Sequence, residues 1–173
     1  MFQQAVAITI VLLGCAVALD FKNVEEFYTV VGAKKSEEFQ KSLTKDELAA
    51  LGEIVRKFPS IQQTSEAMSE MKRNHPTLYD KFKKKRIATR GKVMSLGREA
   101  KRFAIKVVHT EENYAPQLSS GRIDNGVRVA MLKLFEGFEA LSGAAKAEFR
   151  NKFPEHYRMF SNKNVLESLK TKN

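Results

Sequence analysis

The stretch from Ser42 to Phe82 leaves this chain few folds to choose from. Thr44 followed by Glu47 is a capping box, in which the threonine hydroxyl accepts the amide of Glu47 and the carboxylate accepts the amide of Thr44. The helix it opens places Leu48, Leu51, Val55 and Phe58 on one face, with Ile54 beside them. Phe58-Pro59 ends that helix, because a residue before proline is pushed out of the α region. Thr64 caps a second short helix carrying Ala67, Met68 and Met71, and Pro76 sits well as the first residue of a third. Three short helices cannot bury their apolar faces alone, so the remainder of the chain must cover them.

The remainder has the right periodicity. Leu78, Phe82, Val93, Leu96, Ala100, Phe103, Ala104 and Val107 fall on one broad helical face, with Lys83, Lys84, Arg90, Arg98, Lys101, Arg102 and Lys106 mostly opposite. Gly91 and Gly97 mark a bend or a break, giving one bent helix or two consecutive ones. Thr110 to Gly126, with Pro116, Gly121 and Gly126, reads as a loop. From Ile123 the helical period resumes through Val127, Ala130, Met131, Leu134, Phe138 and Leu141. Ser142 caps a further helix with Ala145, Phe149 and Phe153 that ends at Pro154, and two short pieces follow. The expectation is all-α, a single compact multi-helix bundle.

The N-terminus reads differently. Met1 to Leu19 carries no charged side chain, and Ala16-Val17-Ala18 has the small-x-small pattern of a signal-peptidase site. We expect residues 1–18 to be a secretory signal peptide and residues 19–173 the helical domain, secreted and extracellular. A transmembrane anchor and a lipidation signal around Leu12-Leu13-Gly14-Cys15 are the competing readings. Cys15 is the only cysteine, so a cleaved chain has none and must be held by its core. Between signal and capping box, Val24, Phe27, Tyr28 and Val31 share a face in a weakly helical segment.

Catalysis finds little support. His75, His109 and His156 are isolated and lack metal-ligand spacing, and neither a G-x-S-x-G elbow nor a Gly-rich phosphate loop is present. No metal and no cofactor is expected. The net charge of +10 favours anionic partners. The run Lys81-Phe82-Lys83-Lys84-Lys85-Arg86 is expected to be a solvated helix face, with docking to anionic membranes as a secondary role. Nucleic acid is not expected, since no recognition motif accompanies the charge. Thr44 also fits an acidic-directed kinase pattern, T-x-x-E, and is a candidate phosphosite beside its capping role.

Four segments resemble a known family. They are the secretory start, F-Q-K-S-L-T-K-D-E at 39–47, K-R-N-H-P-T-L-Y-D-K at 72–81, and above all F-E-A-L-S-G-A-A-K-A-E-F-R-N-K-F-P at 138–154. Together they are similar to the nematode fatty-acid and retinol-binding proteins, and the similarity runs in order through nearly all of the mature chain. The resemblance implies a wedge-like all-α fold with an internal apolar cavity for fatty acids and retinoids. The candidates for its wall are Leu51, Val55, Phe82, Val93, Leu96, Phe103, Val107, Val127, Met131, Leu134, Phe138 and Phe149. Arg86, Arg90 and Lys92 are the candidates for a carboxylate contact. A Phe- and Met-rich wall can repack around different chains. The alternative is a filled core and a basic surface that binds anionic membranes or polyanions.

Overall fold

The computed structural model describes residue 39 and residues 41–57, 64–119 and 125–171. The proposed signal segment, Cys15 and the segment from Val24 to Val31 lie outside the described residues. Eight helices and no strand occupy the described part: α1 (Lys45–Lys57), α2 (Thr64–Asn74), α3 (Pro76–Met94), α4 (Arg98–Ser119), α5 (Asn125–Glu139), α6 (Gly143–Lys152), α7 (Pro154–Phe160) and α8 (Lys163–Thr171).

The helix boundaries follow local chemistry. The capping box forms as its spacing dictates: the Thr44 amide donates to Glu47 Oε2 at 2.7 Å, and the Glu47 amide donates to Thr44 Oγ1 at 3.2 Å. Pro76 and Pro154 open α3 and α7, where a missing N–H costs no intrahelical bond. Ser142 Oγ accepts the Ala145 amide at 3.3 Å and caps α6. The two glycines of the long periodic stretch behave differently. Gly91 is carried inside α3, while the chain breaks at Ser95-Leu96-Gly97 before α4.

One expected loop is corrected. Residues 110–119, read from their proline, serine and asparagine content as irregular, continue α4 to Ser119. Glu111 and Glu112 are good helix formers, and Tyr114 packs against the core and carries the helix onward. One expected surface is corrected as well. The run Lys81 to Arg86 is not a uniformly solvated face: Lys83 and Lys84 are exposed, but Lys81 and Lys85 turn inward and Arg86 pairs with Glu112.

The apolar side chains gather into two clusters. The smaller joins Leu43, α1, α2 and the first half of α3 around Leu51, Ile54, Ala67, Met71, Leu78 and Phe82. The larger joins the end of α3 with α4 to α8 and is dominated by phenylalanine. Phe103 meets Phe138, Phe149 and Phe160 at ring-centre distances of 5.9, 5.0 and 5.4 Å, and Phe135 meets Phe160 at 5.2 Å. α5 packs on α4 and α8, α6 on α4 and α7, and α2 on α3 and α4. Among the described residues, α3 alone has buried side chains in both clusters.

Candidate functional site

Eleven of the twelve nominated wall residues divide between the clusters as α-helical period would have them. Val93, Leu96, Phe103, Val107, Val127, Met131, Leu134, Phe138 and Phe149 belong to the larger cluster, and Leu51 and Phe82 to the smaller. All eleven of these are buried; the side chain of Val55 lies outside the described ones.

Between the clusters runs a polar seam that the sequence reading passed over. On α3, the buried positions Leu78 and Phe82 are followed at helical spacing by Lys85 and Thr89 before the stripe returns to Val93. On α4, Ala100, Ala104 and Val107 are followed by Glu111. Glu111 Oε1 lies 2.8 Å from His156 Nε2 on α7. The His156 ring is framed by Phe149 and Phe153, at 6.5 and 5.8 Å between ring centres.

The electrostatics of the seam are unusual for a surface lysine and an ordinary histidine. Burial pulls the Lys85 ammonium down to about 8; repulsion from Lys92 adds to that, and attraction from Glu155 and Glu111 only partly offsets it. Among the described residues, no carboxylate comes within ion-pairing distance of it, and its Nζ sits 4.5 Å over the ring of Phe39. Burial pulls His156 down too, but the charge and hydrogen bond of Glu111, with Glu155 beyond, outweigh it and the net movement is upward from 6.5. His156 Nδ1 is enclosed and has no hydrogen-bond partner among the described residues.

The three cations nominated for a ligand carboxylate are all exposed on α3. Arg86 Nη2 lies 2.7 Å from Glu112 Oε1, and Arg90 and Lys92 are exposed. Lys85 was missed because the basic run was read as a block. Counting three and four residues from Phe82 toward Val93 finds it on the inner face. His156 was missed because Glu111 is 45 residues away. Thr44 is exposed at the start of α1, with its hydroxyl engaged in the cap.

Among the described residues no three His, Cys, Asp or Glu side chains gather closely enough to hold a metal, and no helix is long and apolar enough to cross a membrane. An open hollow of about 450 Å³ lies over α6, lined by Gly143, Lys146, Ala147, Arg150, Asn151 and Tyr157. Its cations are already engaged: Lys146 Nζ donates to the Glu139 carbonyl at 3.0 Å and lies over Phe138, and Arg150 lies over Tyr157.

The family model for "Nematode fatty acid retinoid binding protein (Gp-FAR-1)" matches residues 21–171. Fatty-acid and retinol-binding protein 1 of Onchocerca gutturosa is 22% identical over 178 residues, covering 100% of both chains. The protein of that name from Caenorhabditis elegans is 27% identical over 143 residues, covering 81% of this chain and 78% of its own. Among solved structures, the fatty acid and retinol binding protein Na-FAR-1 of Necator americanus matches with a TM-score of 0.56 at 20% identity. That match covers 83% of this chain and 93% of the other, and is a likeness of fold.

Proposed function

This chain belongs to the nematode fatty acid retinoid binding protein family, and from that premise we propose that it is a secreted, non-enzymatic carrier of fatty acids and retinol. The observation that carries the reading is the extent of the family match, which spans both apolar clusters and the seam between them. The ligand's apolar body lies among the apolar stripes of α1, α3, α4 and α5. Burial contributes about 0.8 kcal/mol per CH₂, so a long acyl chain gains strong affinity even when partly enclosed. The many Phe and Met side chains let one wall serve both a flexible acyl chain and a rigid polyene. The uncharged start supports export with removal of residues 1–18. Phosphorylation of Thr44 would replace its hydroxyl cap by a phosphate at a helix start, where the free N–H groups favour negative charge.

Titration with a fluorescent fatty acid, alongside native mass spectrometry, tests the reading. Saturable binding displaced by oleate and by retinol is expected. A folded, helical protein that gives no titration signal and carries no lipid would end it.

A second reading concerns delivery, and one observation favours it. On the outer face of α3, Ile87 and Met94 are 61% and 57% exposed amid exposed Lys83, Lys84 and Arg90. Large apolar tips surrounded by cations suit the interface of an anionic membrane. Contact there lets ligand pass between bilayer and protein without crossing water.

A further inference from the structure

We propose that Lys85 and His156 receive the carboxylate of a bound fatty acid at the seam between the two apolar clusters. The inference rests on the carrier reading and adds its polar subsite.

Three observations converge on these residues. The first is position. Lys85 takes a place in the buried stripe of α3 that an apolar residue would fill, one turn from Phe82, and α4 and α7 bring Glu111 and His156 to the same region. A ligand with its tail among the apolar side chains therefore has its head where these groups lie. The second is an unmet need. Withdrawing an ammonium from water without an ion-pair partner is costly. The ring of Phe39 supplies only a weak substitute, so an arriving carboxylate gives Lys85 the counter-ion that none of the described residues provides. The third is the enclosed Nδ1 of His156. With Nε2 on Glu111, a protonated ring has an N–H at Nδ1 that still needs an acceptor.

A carboxylate brings Lys85 a counter-ion and the His156 ring an acceptor, and an alcohol brings no charge. Fatty acids and retinol thus share the apolar wall but differ at the seam.

The test titrates oleate, oleyl alcohol and retinol against the full chain and against Lys85→Met, Lys85→Arg and His156→Gln, with helicity checked by circular dichroism. Lys85→Met removes a half-buried charge, so it is expected to fold; Lys85→Gln serves as a second neutral variant. Oleate affinity is expected to fall about tenfold or more in the neutral variants, as for loss of a charge-assisted bond. Oleyl alcohol and retinol are expected to bind them as they bind the parent. Lys85→Arg is expected to retain oleate, and His156→Gln to weaken it. Oleate affinity of the parent is expected to decline as pH rises past about 8, where Lys85 loses its proton, and that decline is expected to vanish in Lys85→Met. Oleate affinity unchanged in a folded neutral variant, or all three ligands weakened equally, overturns the site and leaves the carrier standing. A parent protein that binds none of the three overturns the carrier reading and the site with it.

Discussion

Glu47 is the buried carboxylate on which the first helix depends. Its capping partner is three residues away, but its second partner comes from α3: Lys81 Nζ donates to Glu47 Oε2 at 2.6 Å and to the Ser42 carbonyl at 2.7 Å. The Lys81 hydrogen bond, then that of the Thr44 amide, hold the Glu47 carboxyl below its ordinary value of 4.5. Its proton therefore binds more weakly in the folded state than in the unfolded. The stability it contributes is complete above about 4.5 and is lost as pH falls through the lowered value. Glu47→Gln is expected to flatten the loss of stability in acid, read by urea unfolding at a series of pH values. An unchanged acid slope would mean that the pairing does not contribute.

At the scale of elements, α4 and α6 cap one another. Glu99, in the first turn of α4, accepts from the amide and hydroxyl of Ser142 at 2.8 and 2.6 Å, where α6 begins. Glu148 of α6 accepts the Gly97 amide at 2.8 Å, where α4 begins. Ser142→Ala is expected to cost about 1 kcal/mol, as for loss of an N-cap. In a double-mutant cycle with Glu99→Ala, the two losses are expected to be less than additive. Additive losses in urea unfolding would show that the two helix starts act separately. A Cβ at Gly97 would come within 2.8 Å of Glu148 Oε2, so a side chain there would push that carboxylate aside. This arrangement marks the limit of what the sequence can tell. Ser142 reads as a cap because it follows an apolar stripe. Its grip on Glu99 spans 43 residues and leaves no local trace. The capping box, the Pro76 start and the buried apolar stripes are legible for the same reason: each is a relation over a turn or two. The end of α4 is not, because tertiary packing of Tyr114 prevails over a loop-like composition. Lys85 was legible by period and hidden by its basic neighbours.

At the scale of the whole molecule, the charge of +10 and the outer face of α3 act together. Exposed charge pairs are screened within about 10 Å at 0.1 M salt, so attraction to an anionic surface is a low-salt effect until apolar side chains insert. The triple change Lys83→Glu, Lys84→Glu, Arg90→Glu is expected to abolish sedimentation with phosphatidylserine vesicles while leaving soluble oleate binding unchanged. Ile87→Ser with Met94→Ser is expected to leave a weak association that salt removes. Equal sedimentation of all three proteins would place the membrane contact on another face. α3 also links the two clusters mechanically. Phe82 and Val93 are anchored in different masses about 16 Å apart along one rigid rod. Such a rod is a lever whose fulcrum is the stretch between them, where no apolar side chain locks it. A push on the end gripped by α1 and α2 reappears as a tilt at the end gripped by α4 to α8. Two solid halves therefore register as one instrument, and whatever lodges at the fulcrum is felt by both.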